Sequence, residues 1–129
     1  MVESSLTKER IDAGAKLLAR LDERGVAPDV ALWLYFPEER TWKLVLVEVK
    51  LSKTGPRVAY AQLQTVLTKY ASELSGLSLD DVILEKPDAR VVELIRKAVK
   101  TGRGISGIRF QNNVINGTVI EDAYIYRVA

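Results

Sequence analysis

Residues 29–36, DVALWLYF, and 41–51, TWKLVLVEVKL, are dominated by β-branched, aromatic and leucine side chains, with Pro37, Glu38, Glu39 and Arg40 between them. Two such runs around a tight connection read as antiparallel strands. Successive side chains of a strand leave on opposite faces, so strands that are apolar on both faces have none to give to water. The pair therefore belongs in the middle of a sheet covered on two sides, with Trp33, Tyr35, Leu44, Val45, Leu46 and Val47 inside. A chain of 129 residues, 47% of them hydrophobic, can build one core of this kind, and residues 1–129 are read as a single domain.

The flanking segments provide the cover. Thr7 is placed to cap a first helix, with Leu6 and Ile11 as a hydrophobic staple across the cap. Ile11, Gly14, Ala15, Leu18 and Leu21 then recur at helical spacing, and Gly25 follows as the C-terminal stop. Thr54-Gly55-Pro56 opens a second helix, whose buried side is Ala59, Leu63, Val66, Leu67, Tyr70 and Leu74, ending near Gly76. Residues 81–84 read as a short strand. Asp88 is expected to cap a third helix that turns Val91, Val92, Ile95, Ala98 and Val99 inward and closes at Gly102. Asn116-Gly117 marks a final hairpin, since both turn positions need positive φ. Pairing Ile115 with Thr118 sets Ile108 opposite Ile125 and Phe110 opposite Ala123, which gives one apolar face. The expectation is an α+β domain of order α-β-β-α-β-α-β-β, with three helices on a mixed, mostly antiparallel sheet.

Composition narrows the chemistry. The chain has no cysteine and no histidine, which removes disulfides, thiol nucleophiles, Ser-His-Asp triads and His-rich zinc sites. Catalysis would have to rest on carboxylates, lysine, tyrosine or a hard cation such as Mg²⁺. No apolar run approaches the roughly 18 residues that span a bilayer, and residues 1–5 lack the layout of a signal peptide. The expected location is the cytoplasm, without a membrane partner. A net charge of +2 does not by itself point to nucleic acid.

Two places carry candidate function. In the first hairpin, Asp29 at the start of one strand falls beside Glu48 at the end of the next, and Lys50 shares the Glu48 face. Two carboxylates could hold Mg²⁺ for phosphodiester hydrolysis, with the lysine orienting water or neutralising phosphate. Solvated charges at a strand end give the same spacing, because strand ends are kept soluble by charge. In the second hairpin the polar face sets Arg109 opposite Tyr124, Gly107 opposite Tyr126 and Gln111 opposite Asp122. An exposed patch of Arg109, Tyr124, Tyr126 and Asp122 suits a binding hot spot; a cation–π and aromatic ladder across the strands would place the same residues there. Arg96, Lys97, Lys100 and Arg103 cluster around the end of the third helix, where phosphate binding and the helix dipole both favour cations.

Pro28-Asp29 and Glu48-Val49-Lys50, with Gln62 or Gln64 on the following helix, resemble the PD-(D/E)xK nuclease superfamily. That resemblance implies a nuclease acting on nucleic acid through Mg²⁺ held by Asp29 and Glu48, with Lys50 as the third catalytic residue. The strand that the family pattern places before the Asp strand is missing, since only Val26-Ala27 separates Gly25 from Pro28. ALWLYFPE, the Trp42 strand and NVINGTVIEDAYIYR resemble a group of small uncharacterised bacterial proteins instead. The leading reading is a non-catalytic binding or self-associating module that needs no cofactor and takes a protein partner or a second copy of itself. A Mg²⁺-dependent nuclease is the alternative.

Overall fold

The computed structural model describes residues 5–47 and 56–129. Along the chain run α1 (Lys8–Glu23), β1 (Val30–Phe36), β2 (Thr41–Val47), α2 (Pro56–Lys69), β3 (Val82–Glu85), α3 (Arg90–Ala98), β4 (Ile108–Ile115) and β5 (Thr118–Val128), with a 3₁₀ turn at Leu79–Asp81. This is the expected α+β fold in the expected order. The strand residues 48–51 and the helix start at Thr54-Gly55 lie outside the described residues.

The strands form one sheet of order β3-β2-β1-β5-β4. β1 pairs antiparallel with β2 and with β5, and β4 with β5; β3 alone runs parallel, to β2. A parallel neighbour requires a crossover, and α2 lies in that connection. The two-sided apolar pattern of β1 and β2 has the predicted result. On one face Ala31, Trp33, Tyr35, Trp42, Leu44 and Leu46 pack under α1 and α2 through Leu17, Leu18, Leu63 and Val66. On the other, Val30, Leu32, Leu34, Val45 and Val47 join Ala123 and Ile125 beneath Val92 and Ile95 of α3.

The ends of α1 follow their sequence signals. Thr7 accepts a hydrogen bond from the Arg10 amide. At the other end Gly25, at φ +72°, donates to the Asp22 carbonyl and Val26 to that of Leu21, a Schellman pair that needs a left-handed residue. α3 departs from expectation. Its N-cap is Ala89, not Asp88, because the Ala89 amide closes a turn onto Lys86 around Pro87-Asp88 and the helix begins only after it. Leu94 is buried and Ala98 exposed. The helix ends at Ala98 rather than at Gly102: Val99 is already extended, and Thr101 exchanges hydrogen bonds with Val128 at the end of β5. α2 stops at Lys69, so Tyr70 and Leu74 sit in the turns that follow.

Two irregularities in β5 and β4 shape the surface of the last hairpin. Pairing with β1 shifts by one residue between Ala31↔Arg127 and Leu32↔Ile125. Tyr126 is the inserted residue, and such a bulge sets consecutive side chains on one face. Tyr126 and Arg127 both come to lie beneath α1, where Arg127 forks onto Asp22 at 3.0 and 2.8 Å and donates to the carbonyls of Pro28 and Gly104. Farther along, the register of the final hairpin is the expected one, but its apolar face is not continuous. Ile108, Phe110, Ala123 and Ile125 pack on the α3 side, as do Ile115 and Ile120, which strict alternation would send to the opposite face. The facing reverses at Asn112, whose φ is +51°. No helix among the described residues is long and apolar enough to cross a membrane.

Candidate functional site

The reversal at Asn112 gives the α1 side of the last hairpin its character. Gln111 and Asn112 on β4, with Glu121 and Asp122 on β5, all line one groove, although they are consecutive residues. Its other walls are Arg109, the Tyr35 and Trp42 pair at the turn end of the first hairpin, and Ser5-Leu6 ahead of α1. The volume is about 500 Å³. Tyr35 and Trp42 are cross-strand partners with ring centroids 5.4 Å apart. Both are buried, so they form the floor and not a free stacking platform.

Arg109 holds the groove together electrically. Its Nε and Nη2 donate to the two Asp122 carboxylate oxygens at 2.7 Å each, the fork geometry that makes such pairs strong. Gln111 Nε2 lies 3.4 Å from Asp122 Oδ2. The guanidinium carbon sits 5.5 Å from the Trp42 ring centre, within cation–π range. The hydrogen bond to Asp122 raises the Arg109 pKa. Burial pushes the Asp122 carboxyl up, but Arg109, Gln111 and the Ala123 amide together hold it below its ordinary value. Asp122 is therefore a carboxylate at neutral pH. The Arg109 side chain keeps 44% of its exposure while that of Asp122 keeps 17%, so the argininium is the accessible partner. Two of its five N–H groups serve the fork.

Of the predicted binding residues, Arg109 and Asp122 come together as a pair. Tyr124 stands opposite Arg109 in the register and is half-buried; its hydroxyl closes on Gly107, the glycine assigned from sequence to Tyr126. Tyr126 itself corrects the sequence reading: it is 1% exposed. Its hydroxyl accepts from Trp33 Nε1 at 3.0 Å and donates to the Ile11 carbonyl, and its ring meets that of Tyr124 edge-on at 5.4 Å. The bulge and the lack of a side chain at Gly14 make room for it under α1. Trp42, Asn112 and Glu121 were not predicted. The Tyr35–Trp42 pairing was implicit in the first hairpin's turn, and an asparagine, which tolerates positive φ, was the one hint of the reversal.

Asp29 stands at the entry to β1, where its amide donates to the Val47 carbonyl at 2.9 Å. Its carboxylate accepts from Arg103 Nη2 at 2.8 Å. Glu48 and Lys50 lie outside the described residues. Among the described residues, no group of three or more metal-ligating side chains is placed to hold an ion. Gln62 and Gln64 are on the exposed side of α2, and Gln64 bonds to Thr68. Compared with protein-family models, with curated proteins and with solved structures, the chain finds no match in any of the three.

Proposed function

We propose that the protein is a non-catalytic binding module whose groove between the last hairpin and the start of α1 receives a segment of a partner polypeptide. The observation that carries this is the Arg109–Asp122 fork, fixed on the sheet beside buried Trp42 with part of the guanidinium still exposed. A group held by its neighbours loses little freedom on binding. Arginine is among the residues that dominate interface energies. Gln111, Asn112 and Glu121 add donors and acceptors along the groove, which suit main-chain amides.

The test compares wild type with Arg109→Ala and Gln111→Ala by affinity capture and by sedimentation over a range of concentrations. Loss of about 1–2 kcal/mol on truncating Arg109, a weakening of roughly 5- to 30-fold, is expected for the partner complex, beyond the drop in melting temperature that follows from leaving Asp122 without its partner; Gln111→Ala should leave the melting temperature near that of wild type. Association that is indifferent to both substitutions, or no association at all, refutes the reading.

A Mg²⁺-dependent nuclease is the second reading, favoured by the hydrogen bond that sets Asp29 beside the end of β2. The described residues do not by themselves make a metal site. Asp29 is the one described carboxylate of the proposed set, and a guanidinium already holds it. This reading requires Mg²⁺-dependent cleavage of DNA or RNA that is lost in Glu48→Ala; cleavage that survives the substitution removes it.

A further inference from the structure

We infer that the outer surface of α3 and the segment after it is a docking surface for the phosphate backbone of a nucleic acid. The surface is separate from the groove and does not depend on a metal at Asp29. The first observation is charge segregation. Residues 86–103 contain six basic side chains, Lys86, Arg90, Arg96, Lys97, Lys100 and Arg103, against two acidic ones, Asp88 and Glu93. The rest of the chain carries 13 basic and 15 acidic residues. The segment thus concentrates positive charge in a nearly neutral protein whose remaining residues are slightly negative.

All six cations are exposed. Elsewhere five of the eleven described basic side chains are ion-paired: Lys8, Arg10, Arg20, Arg109 and Arg127. In this segment only Arg103 has an ion pair with a described residue, and its side chain is still 66% exposed. On the helix, Arg90, Arg96 and Lys97 fall within one arc of about 120° at 100° per residue, centred away from buried Val92, Leu94 and Ile95, and exposed Glu93 lies within the same arc.

The helix dipole does not account for the pattern. It favours cations at the C-terminal end, which covers Arg96 and Lys97, and disfavours them at the N-terminal end. Arg90 is the first residue of α3 and Lys86 precedes it by one turn. Stability alone would not place cations at both ends. A lipid surface is the poorer match, because a helix lying on a membrane must offer an apolar side. Here the apolar side of α3 is spent on the core, and within 86–103 no large apolar residue is exposed. What remains is a stretch of six exposed cations, five of them without an ion pair to a described residue, suited to successive phosphates.

The experiment measures binding of the full chain to a labelled duplex of about 20 base pairs, to a single strand of the same length and to vesicles rich in anionic lipid, as a function of salt. If about four phosphates are neutralised, the slope of log K against log salt is roughly −3.6 for duplex and −2.8 for single strand. Replacing Arg96, Lys97 and Lys100 together by alanine should remove about three of those contacts and leave the melting temperature near that of wild type, since all three are exposed. Glu93→Gln should tighten binding and steepen nothing else. The proposal is overturned by absence of nucleic-acid binding at low salt, by a slope unchanged in the triple variant, or by vesicles bound more tightly than either strand form.

Discussion

Gly14 sits in the interior of α1, where exchange for alanine would ordinarily stabilise a helix by about 1 kcal/mol. Here the opposite sign is expected. A Cβ built at Gly14 collides with the Tyr126 hydroxyl and lies 2.8 Å from Trp33 Nε1 and 3.0 Å from Tyr126 Cζ. None of these atoms is the free end of a flexible chain. Trp33 and Tyr126 are 0% and 1% exposed, and they are hydrogen-bonded to one another. Moving either ring strains a packed core, at roughly 1–3 kcal/mol. It also leaves a buried indole N–H or phenol unsatisfied, at about 1–3 kcal/mol. Set against the helix gain, the net for Gly14→Ala is a loss of about 1–5 kcal/mol. Urea unfolding followed by tryptophan fluorescence measures it. Tyr126→Phe deletes the colliding oxygen, so Gly14→Ala should cost less in that background, with a coupling of at least about 1 kcal/mol. A stabilised Gly14→Ala, or costs that simply add, would show that the Tyr126 hydroxyl does not occupy the space beside Gly14.

Asp22→Ala strands the 1% exposed Arg127 guanidinium with only carbonyl acceptors and should cost about 3 kcal/mol in urea unfolding, far more than substitution of the exposed Lys8–Asp12 pair. Gly25→Ala meets no atom within 4 Å but must hold φ +72°, so its expected cost of about 1 kcal/mol is conformational, and Gly25→Asn should recover part of it. Burial raises the Tyr126 phenol above its ordinary value; its contribution is full below about pH 10 and is lost as pH rises beyond that, so Tyr126→Phe should flatten the alkaline limb of the stability profile. Asp122 is lowered, so its contribution is present above about pH 4 and lost as pH falls through its folded value; Asp122→Asn should flatten the acid limb, and an unchanged profile would argue against the Arg109 fork.

The sequence by itself determined the elements and the pairing within each of the two hairpins, while the joining of the hairpins through β1 and β5 and the parallel seat of β3 beside β2 came from the tertiary structure. Apolar runs on both faces of β1 and β2 left them no place but the interior of a covered sheet, Thr7 and Gly25 bounded α1 through their own hydrogen bonds, and Asn116-Gly117 fixed the last hairpin's register because its turn geometry admits few residues. These are local causes, legible wherever the responsible atoms are neighbours along the chain. The tertiary structure alone also decided which way side chains face after a strand departs from strict alternation. One inserted residue at Tyr126 and one positive φ at Asn112 withdrew Tyr126 from the predicted exposed face, buried Arg127 against Asp22, and brought Gln111, Asn112, Glu121 and Asp122 into one groove with Trp42. The space that admits Tyr126 belongs to Gly14, more than a hundred residues away in the chain. A bulge is stable only when the packing across it is favourable, and that packing is set by the helix laid over the sheet, not by the residues beside the bulge.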